Sequence, residues 1–278
     1  MKNRQWLVHL LLVPITVLTL YPVLWVLKMA LNPEQSFALS ANPLPTVWSI
    51  QNFADVLTAR DSVGHYLFAR QALNSVIVAA AVTVVGLALS TTAAWSLSRY
   101  RFPGREATLR GFLLTQMFPG VVTSIPLYVL LDNLHLLNHL MGLVLVYATT
   151  SIPFCTFMLK AYFDTLPREL EEAVLLDGGT RWDVFFRIAL PLSRPALTVT
   201  ALFAFLASWN EFILAATFMT DPKAFTLPVR LHSYVNDYST EWGHFAAGAV
   251  LVSLPVMALF LALERHLIGG LTDGAVKG

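Results

Sequence analysis

Six stretches of about 20 mostly apolar residues dominate this chain, at approximately 7–29, 72–96, 109–131, 140–161, 197–219 and 245–267. A helix rises about 1.5 Å per residue, so a run of that length crosses a hydrocarbon core roughly 30 Å thick. Lipid offers the backbone no hydrogen-bond partners, which leaves helices and closed barrels as the spanning structures. The runs lack the short alternating pattern of barrel strands, and the expected architecture is an all-α bundle of six transmembrane helices. Composition agrees, with 56% hydrophobic and 13% charged residues against about 45–50% apolar in soluble chains. A net charge of +1 gives no footing for a nucleic-acid partner or a strongly anionic substrate.

Basic residues set the expected topology. Arg99, Arg101, Arg105 and Arg110 crowd the link between spans two and three, and Arg168, Arg181, Arg187 and Arg194 that between spans four and five. Lys2, Arg4, Lys160, Arg265 and Lys277 fall on the same side, so thirteen of the eighteen basic residues face the cytoplasm under the positive-inside rule. Lys28, Arg60, Arg70, Lys223 and Arg230 are left outside, and six spans put both termini in the cytoplasm. The first apolar run is longer than a signal-peptide core and has no small-residue cleavage site, so it reads as an uncleaved first span. Residues 32–71, with Pro33, Pro43 and Pro45, form an outer segment with too little apolar surface for a core of its own, which packs on the bundle or on a partner. The outer loop 220–244 mixes Asp221, Lys223, Asp237 and Glu241 with Phe225, Tyr234, Tyr238 and Trp242. Partner docking and an interfacial aromatic belt are equally good readings of it. The single Cys155 has no intrachain partner and reads as a small buried hydrophobe.

Between 164 and 195 the chain leaves the membrane for two short helices around a glycine turn. Pro167 suits a helix start, and Glu169, Glu171 and Glu172 fall in the opening turns, where the helix dipole favours acids. Gly178 and Gly179 end that helix. Thr180 with Asp183 three residues on is a variant capping box, and Trp182, Phe185, Phe186 and Ala189 recur at helical spacing. Physics alone leaves open an amphipathic connector lying on the inner leaflet.

The run Glu172-Ala173-Val174-Leu175-Leu176-Asp177-Gly178, followed by Ile188-Ala189-Leu190-Pro191, resembles the EAA loop of binding-protein-dependent importers of the ATP-binding-cassette class. Val174 stands where that family has its second alanine. The resemblance implies a six-transmembrane-helix bundle of the type I ABC importer permease kind. It also implies a loop that seats in a cleft of a separate ATPase subunit, with Glu172, Ala173, Asp177 and Gly178 at the contact and Trp182 and Phe185 beside them. Shorter runs, among them Arg101-Phe102-Pro103-Gly104, Gln116-Met117-Phe118-Pro119, Trp209-Asn210-Glu211-Phe212 and the tail from Gly270, look like the smaller permease of the maltose and maltodextrin branch. That branch implies a second permease, two ATPase subunits and an extracytoplasmic sugar-binding protein as partners. The expected organisation is a first helix with an outer segment (1–71), a five-helix permease core (72–268) and a cytoplasmic tail (269–278), which either reaches toward the ATPases or frays.

An ionisable residue inside a span is expensive and is a functional candidate by default. Glu211 lies about 12 Å from the outer end of span five, beside Trp209 and Asn210. These residues, with Gln116, offer aromatic faces and amides to a sugar, or they hydrogen-bond neighbouring helices and hold the bundle together. Pro119, Gly120, Pro126 and Pro153 are expected to bend or break their helices. His135 and His139 have metal-pair spacing but, beyond Asp132, no third ligand, so no metal or cofactor is expected. The chain has no GxxxxGK[ST] loop, no HExxH and no GxSxG, which argues against an enzyme and against ATP hydrolysis by this subunit. A permease for another sugar or sugar derivative is the nearest alternative, and a stand-alone secondary transporter a more remote one, since no inverted repeat is visible.

Overall fold

The computed structural model describes the backbone of residues 2–37, 40, 42–235 and 239–275, and side chains for those of them that are residue 6 or lie within 8–264. Asp237, Tyr238 and the end of the tail lie outside the described residues, as do the side chains of Lys2, Arg4 and Arg265.

Regular structure among the described residues is helical, with no strand. In chain order the helices are α1 (Lys2–Leu31), α2 (Gln51–Thr58), α3 (Leu67–Arg99), α4 (Arg105–Met117), α5 (Gly120–Asn133), α6 (Leu140–Thr165), α7 (Arg168–Leu176) and α8 (Arg181–Val184). A π-turn (Phe185–Ala189), α9 (Leu190–Leu192), α10 (Arg194–Trp209), α11 (Ile213–Phe218), α12 (Leu227–His232) and α13 (Trp242–Ala275) follow. Four helices are long and apolar enough to cross a membrane, and up to six spans result if each of two sharply bent helix pairs counts as one.

The third apolar run is not one helix. Its halves, α4 and α5, meet at 100°. Pro119 clashes with a helical residue before it, so Phe118 takes an extended conformation (φ −81°, ψ 124°), and Pro119 is the cap before α5. Pro126 and Pro153, by contrast, lie within α5 and α6, which continue through them. Around Pro153 the Thr150 and Ile152 carbonyls accept from Gln116 Nε2 (2.8 Å) and Ser90 Oγ (3.0 Å), side-chain donors in the turn a proline disturbs. The fifth run is also interrupted: α10 stops at Trp209, and α11 begins at Ile213.

The chain divides into two compact units. One comprises 1–72 and 227–257. Its core is Met29, Ala30, Val56, Tyr234, Ala246 and Ala247, so the 32–71 segment packs through α2 on the end of α1 and the start of α13. Asn52, 1% exposed, holds this junction: its amide donates to Ala30 O (3.1 Å) and Asn32 O (2.7 Å) and accepts from Gln35 Nε2 (2.6 Å). Gly243 leaves room for it, because a Cβ there would lie 2.6 Å from Asn52 Nδ2. Asn52→Leu strands carbonyls and the Gln35 amide together, and we expect it to destabilise this unit by about 2–3 kcal/mol. Thermal unfolding in detergent, with Gly243→Ala as a second variant that crowds the same amide, measures the effect.

The other unit comprises 73–226 and 258–278. Its core gathers Ala94, Trp95, Leu159, Phe163, Val184, Phe185 and Ala189, so the ends of α3 and α6 and the loop after α7 share one apolar centre. At its other end Asn138 (φ +59°) accepts from the Thr220 N–H (2.7 Å) and the Asp221 N–H (2.9 Å), which ties the α5–α6 turn to the segment after α11.

Candidate functional site

Two features of the second unit carry the functional candidates, and the first is the 164–195 loop. Pro167 precedes α7 as its cap, with Glu169 and Glu171 in the first turn. Asp177 closes the helix, and Gly178 follows with φ +82°, a left-handed conformation that glycine adopts without strain. Gly179 donates to Val174 O (2.9 Å), and a Cβ on it would meet Val174 Cγ1 at 2.6 Å. The capping box of the second helix is present in full: Thr180 Oγ1 accepts from the Asp183 N–H (3.2 Å), and Asp183 Oδ2 from the Thr180 N–H (2.9 Å). The Thr180 hydroxyl and amide, with Arg187 nearby, hold the Asp183 carboxyl below its usual value. A depressed pKa favours the folded loop above the unfolded carboxylate range and loses that contribution as the pH falls through the folded value. We expect Thr180→Ala to remove the hydroxyl's share of it, the backbone N–H bond to Asp183 remaining, and to loosen the start of the second helix, visible as faster amide exchange across 181–189 at neutral pH.

The aromatic face divides in two. Trp182 is 64% exposed and stacks on exposed Phe186 (5.8 Å, 22°), while Leu176, the last residue of α7, is 88% exposed. Glu172, Ala173, Asp177 and Gly178 are exposed as well. Phe185, expected at the docking contact, is not available to a partner: it is 3% exposed and packs on Trp95 (5.0 Å) in the core. Adjacent helical residues point about 100° apart, so one of the paired phenylalanines anchors the loop and the other is presented. Glu171, neighbour of Glu172, turns inward and pairs with Arg99 Nε at 2.6 Å. Helical spacing treats the two acids alike; the motif singles out Glu172, and the fold gives Glu171 its inward partner.

The second feature is a cavity of about 560 Å³ between α4, α6 and the α10–α11 break. Gln116, Asn210 and Glu211 line it together, with Tyr147, Thr150, Ser151, Phe154, Phe203 and Ser208 among the rest of the wall. Trp209 does not join them. It is 2% exposed and stacks on Phe205 (5.5 Å, 18°), one turn back on α10. Glu211 accepts from the Tyr147 hydroxyl at 2.5 Å and from the backbone N–H groups of Leu214 (2.9 Å) and Ala215 (3.1 Å). Its carboxylate thereby fills the unpaired amides that open α11 and bonds α6 across the break. Tyr147, like Phe154 and Phe203, is a wall residue that no pattern marked; it lies 64 positions from its partner Glu211.

Residues 86–269 match the family model described as the binding-protein-dependent transport system inner membrane component. Similar curated proteins include the galactooligosaccharides transport system permease protein GanQ of Bacillus subtilis (strain 168), 34% identical, with 100% of this chain and 99% of that protein covered. The maltose/maltodextrin transport system permease protein MalG of Escherichia coli (strain K12) is 35% identical, with 100% and 97% covered. Among solved structures, a bacterial ABC transporter involved in the import of the acidic polysaccharide alginate has the same fold, with TM-score 0.77 at 20% identity over 95% of this chain and 96% of that one. The matched region contains both the 164–195 loop and the cavity wall, and the chain belongs to the family of inner membrane components of binding-protein-dependent transport systems.

Proposed function

We propose that this chain is a sugar permease subunit of an ATP-driven importer, which passes a maltose- or maltodextrin-type oligosaccharide through the inner membrane to the cytoplasm. Full-length similarity to permeases named for galactooligosaccharides, diacetylchitobiose and maltose supports a saccharide substrate. The observation that carries the transport step is the cavity, where amides (Gln116, Asn210), hydroxyls (Thr150, Ser151, Ser208) and the aromatic pair Phe154 and Phe203 suit a sugar's hydroxyls and its apolar ring faces. Energy comes from two ATPase subunits, on which the exposed face of Glu172, Ala173, Asp177, Gly178 and Trp182 docks together with Phe186 and Leu176. A second permease completes the pathway, and an extracytoplasmic binding protein delivers the sugar. Both termini lie in the cytoplasm, and the three-part organisation is 1–71, 72–268 and 269–278. Another sugar or sugar derivative is favoured by one specific observation: the galactooligosaccharide relative, at 34%, is as similar as the maltose relative, at 35%.

Purification of the tagged chain from its native membrane in mild detergent tests the assembly, followed by uptake of labelled maltodextrin, galactooligosaccharide and diacetylchitobiose into ATP-loaded proteoliposomes. An ATPase, a second permease and a sugar-binding protein are expected to co-elute, and maltodextrin to be the best substrate. A chain that elutes alone under conditions preserving known complexes overturns the importer, and preference for another saccharide corrects the substrate.

A further inference from the structure

The Arg99–Glu171 pair belongs to a chain of contacts at the junction of α3, α6 and α7. Arg99 is the last residue of α3. Its Nε donates to Glu171 Oε1 (2.6 Å) on α7, its Nη2 to Leu166 O (3.1 Å), which caps α6, and its Nη1 to Ser98 Oγ (3.0 Å). Ser98 in turn donates to Asp164 Oδ1 (2.6 Å), and Lys160 Nζ holds the other Asp164 oxygen at 2.6 Å, both near the end of α6. The side chains of Arg99 and Glu171 are only 6% and 13% exposed. Trp95, Tyr100 and Val184 line the same pocket, and Arg181 lies over the Tyr100 ring at 4.9 Å.

A buried ion pair is a poor way to add stability, because desolvation offsets most of the attraction and apolar residues of similar size do as well. What it adds here is direction. The guanidinium is a rigid planar fork: from α3 its Nε reaches α7 and its Nη2 the cap of α6, while its Nη1 bonds Ser98 on its own helix, a set that an ammonium on a flexible stem does not reproduce. The apolar core under the loop resists compression but not sliding or tilting of α7; the fork bonds resist both.

We propose that Arg99 is the positioning residue that joins the ATPase-docking helix α7 to the transport helices α3 and α6, so that displacement of α7 moves both. The inference rests on the reading of the 164–195 loop as the ATPase-docking element. Arg99 and Glu171 do not touch the ATPase themselves. They convert movement of the docked helix into movement of α3 and of α6, and α6 borders the cavity with Tyr147, Thr150, Ser151 and Phe154.

The test uses the complete transporter in proteoliposomes and reads three quantities: ATPase subunit recovered with the tagged chain, ATP hydrolysed, and sugar moved per ATP. Glu171→Gln keeps the shape of the side chain and removes its charge; Arg99→Lys keeps the charge and removes the fork. In both variants the ATPase is expected to remain bound and to hydrolyse ATP, while sugar moved per ATP falls about tenfold. Glu171→Asp, which retains a carboxylate, is expected to recover part of the ratio. An unchanged ratio in both variants overturns the proposal. So does loss of the ATPase from both, which makes the pair a docking determinant, and so does failure of Arg99→Lys to accumulate in the membrane, which makes it a support of the fold alone. If the wild-type chain recovers no ATPase at all, the importer itself is refuted, a result separate from each of these.

Discussion

Glu172→Lys is expected to lower ATP-driven uptake about 30-fold while the chain still inserts at its normal level, the size of effect seen when one central interface residue is lost. Glu172 is exposed on α7 and has little to contribute to the fold, so its loss is read at a partner surface. It lines a pocket that already holds Arg99, Arg168 and Arg181, and a lysine there replaces an acid of the proposed docking face with a fourth cation. Gly178→Pro reaches the same surface by another route. The residue sits at φ +82° and its N–H donates to Leu175 O at 3.2 Å; proline fixes φ near −65° and has no N–H. The turn that ends α7 cannot form as it stands, and Leu176 and Asp177 lose their positions. Uptake, membrane content by immunoblot and recovery of the ATPase measure both variants. Wild-type uptake in both refutes the docking assignment.

Glu211→Leu is expected to destabilise the second unit by about 3 kcal/mol and to stop transport. The carboxylate is the shared acceptor of the Tyr147 hydroxyl and of two α11 amides, and leucine leaves all three donors without it, each facing the cost of an unmade bond. Glu211→Gln keeps an acceptor oxygen and should retain part of the stability, since amides bond more weakly to a neutral group than to a carboxylate. Thermal unfolding and uptake together separate the roles. If Glu211→Leu unfolds at the wild-type temperature but no longer transports, the carboxylate meets the sugar rather than the α10–α11 break.

Local chemistry carried much of this protein. Apolar run length against bilayer thickness gives the helices, because a backbone in lipid has no other way to pair its amides. The capping box of Thr180 and Asp183, the glycine turn and the extended residue before Pro119 follow from side chains within three or four positions of one another, and all three are seen. The family was legible for the same reason, since the EAA loop is a contiguous motif. Position within the tertiary fold decided the rest. Helical spacing marks Phe185 and Phe186 as one aromatic face, yet one is core and the other surface, because Trp95 and Leu159 lie under only one of them. Trp209 and Asn210 are neighbours in sequence and part company where α10 ends. Glu211 was visible as a costly charge in an apolar run, but its partner Tyr147 comes from another helix 64 residues away. Arg99 reads as one basic residue among several in a loop until α7 folds back to bring Glu171 within 2.6 Å. A sequence determines which groups need partners; which partners they receive is decided by the packing of distant segments, whose closeness no local spacing encodes.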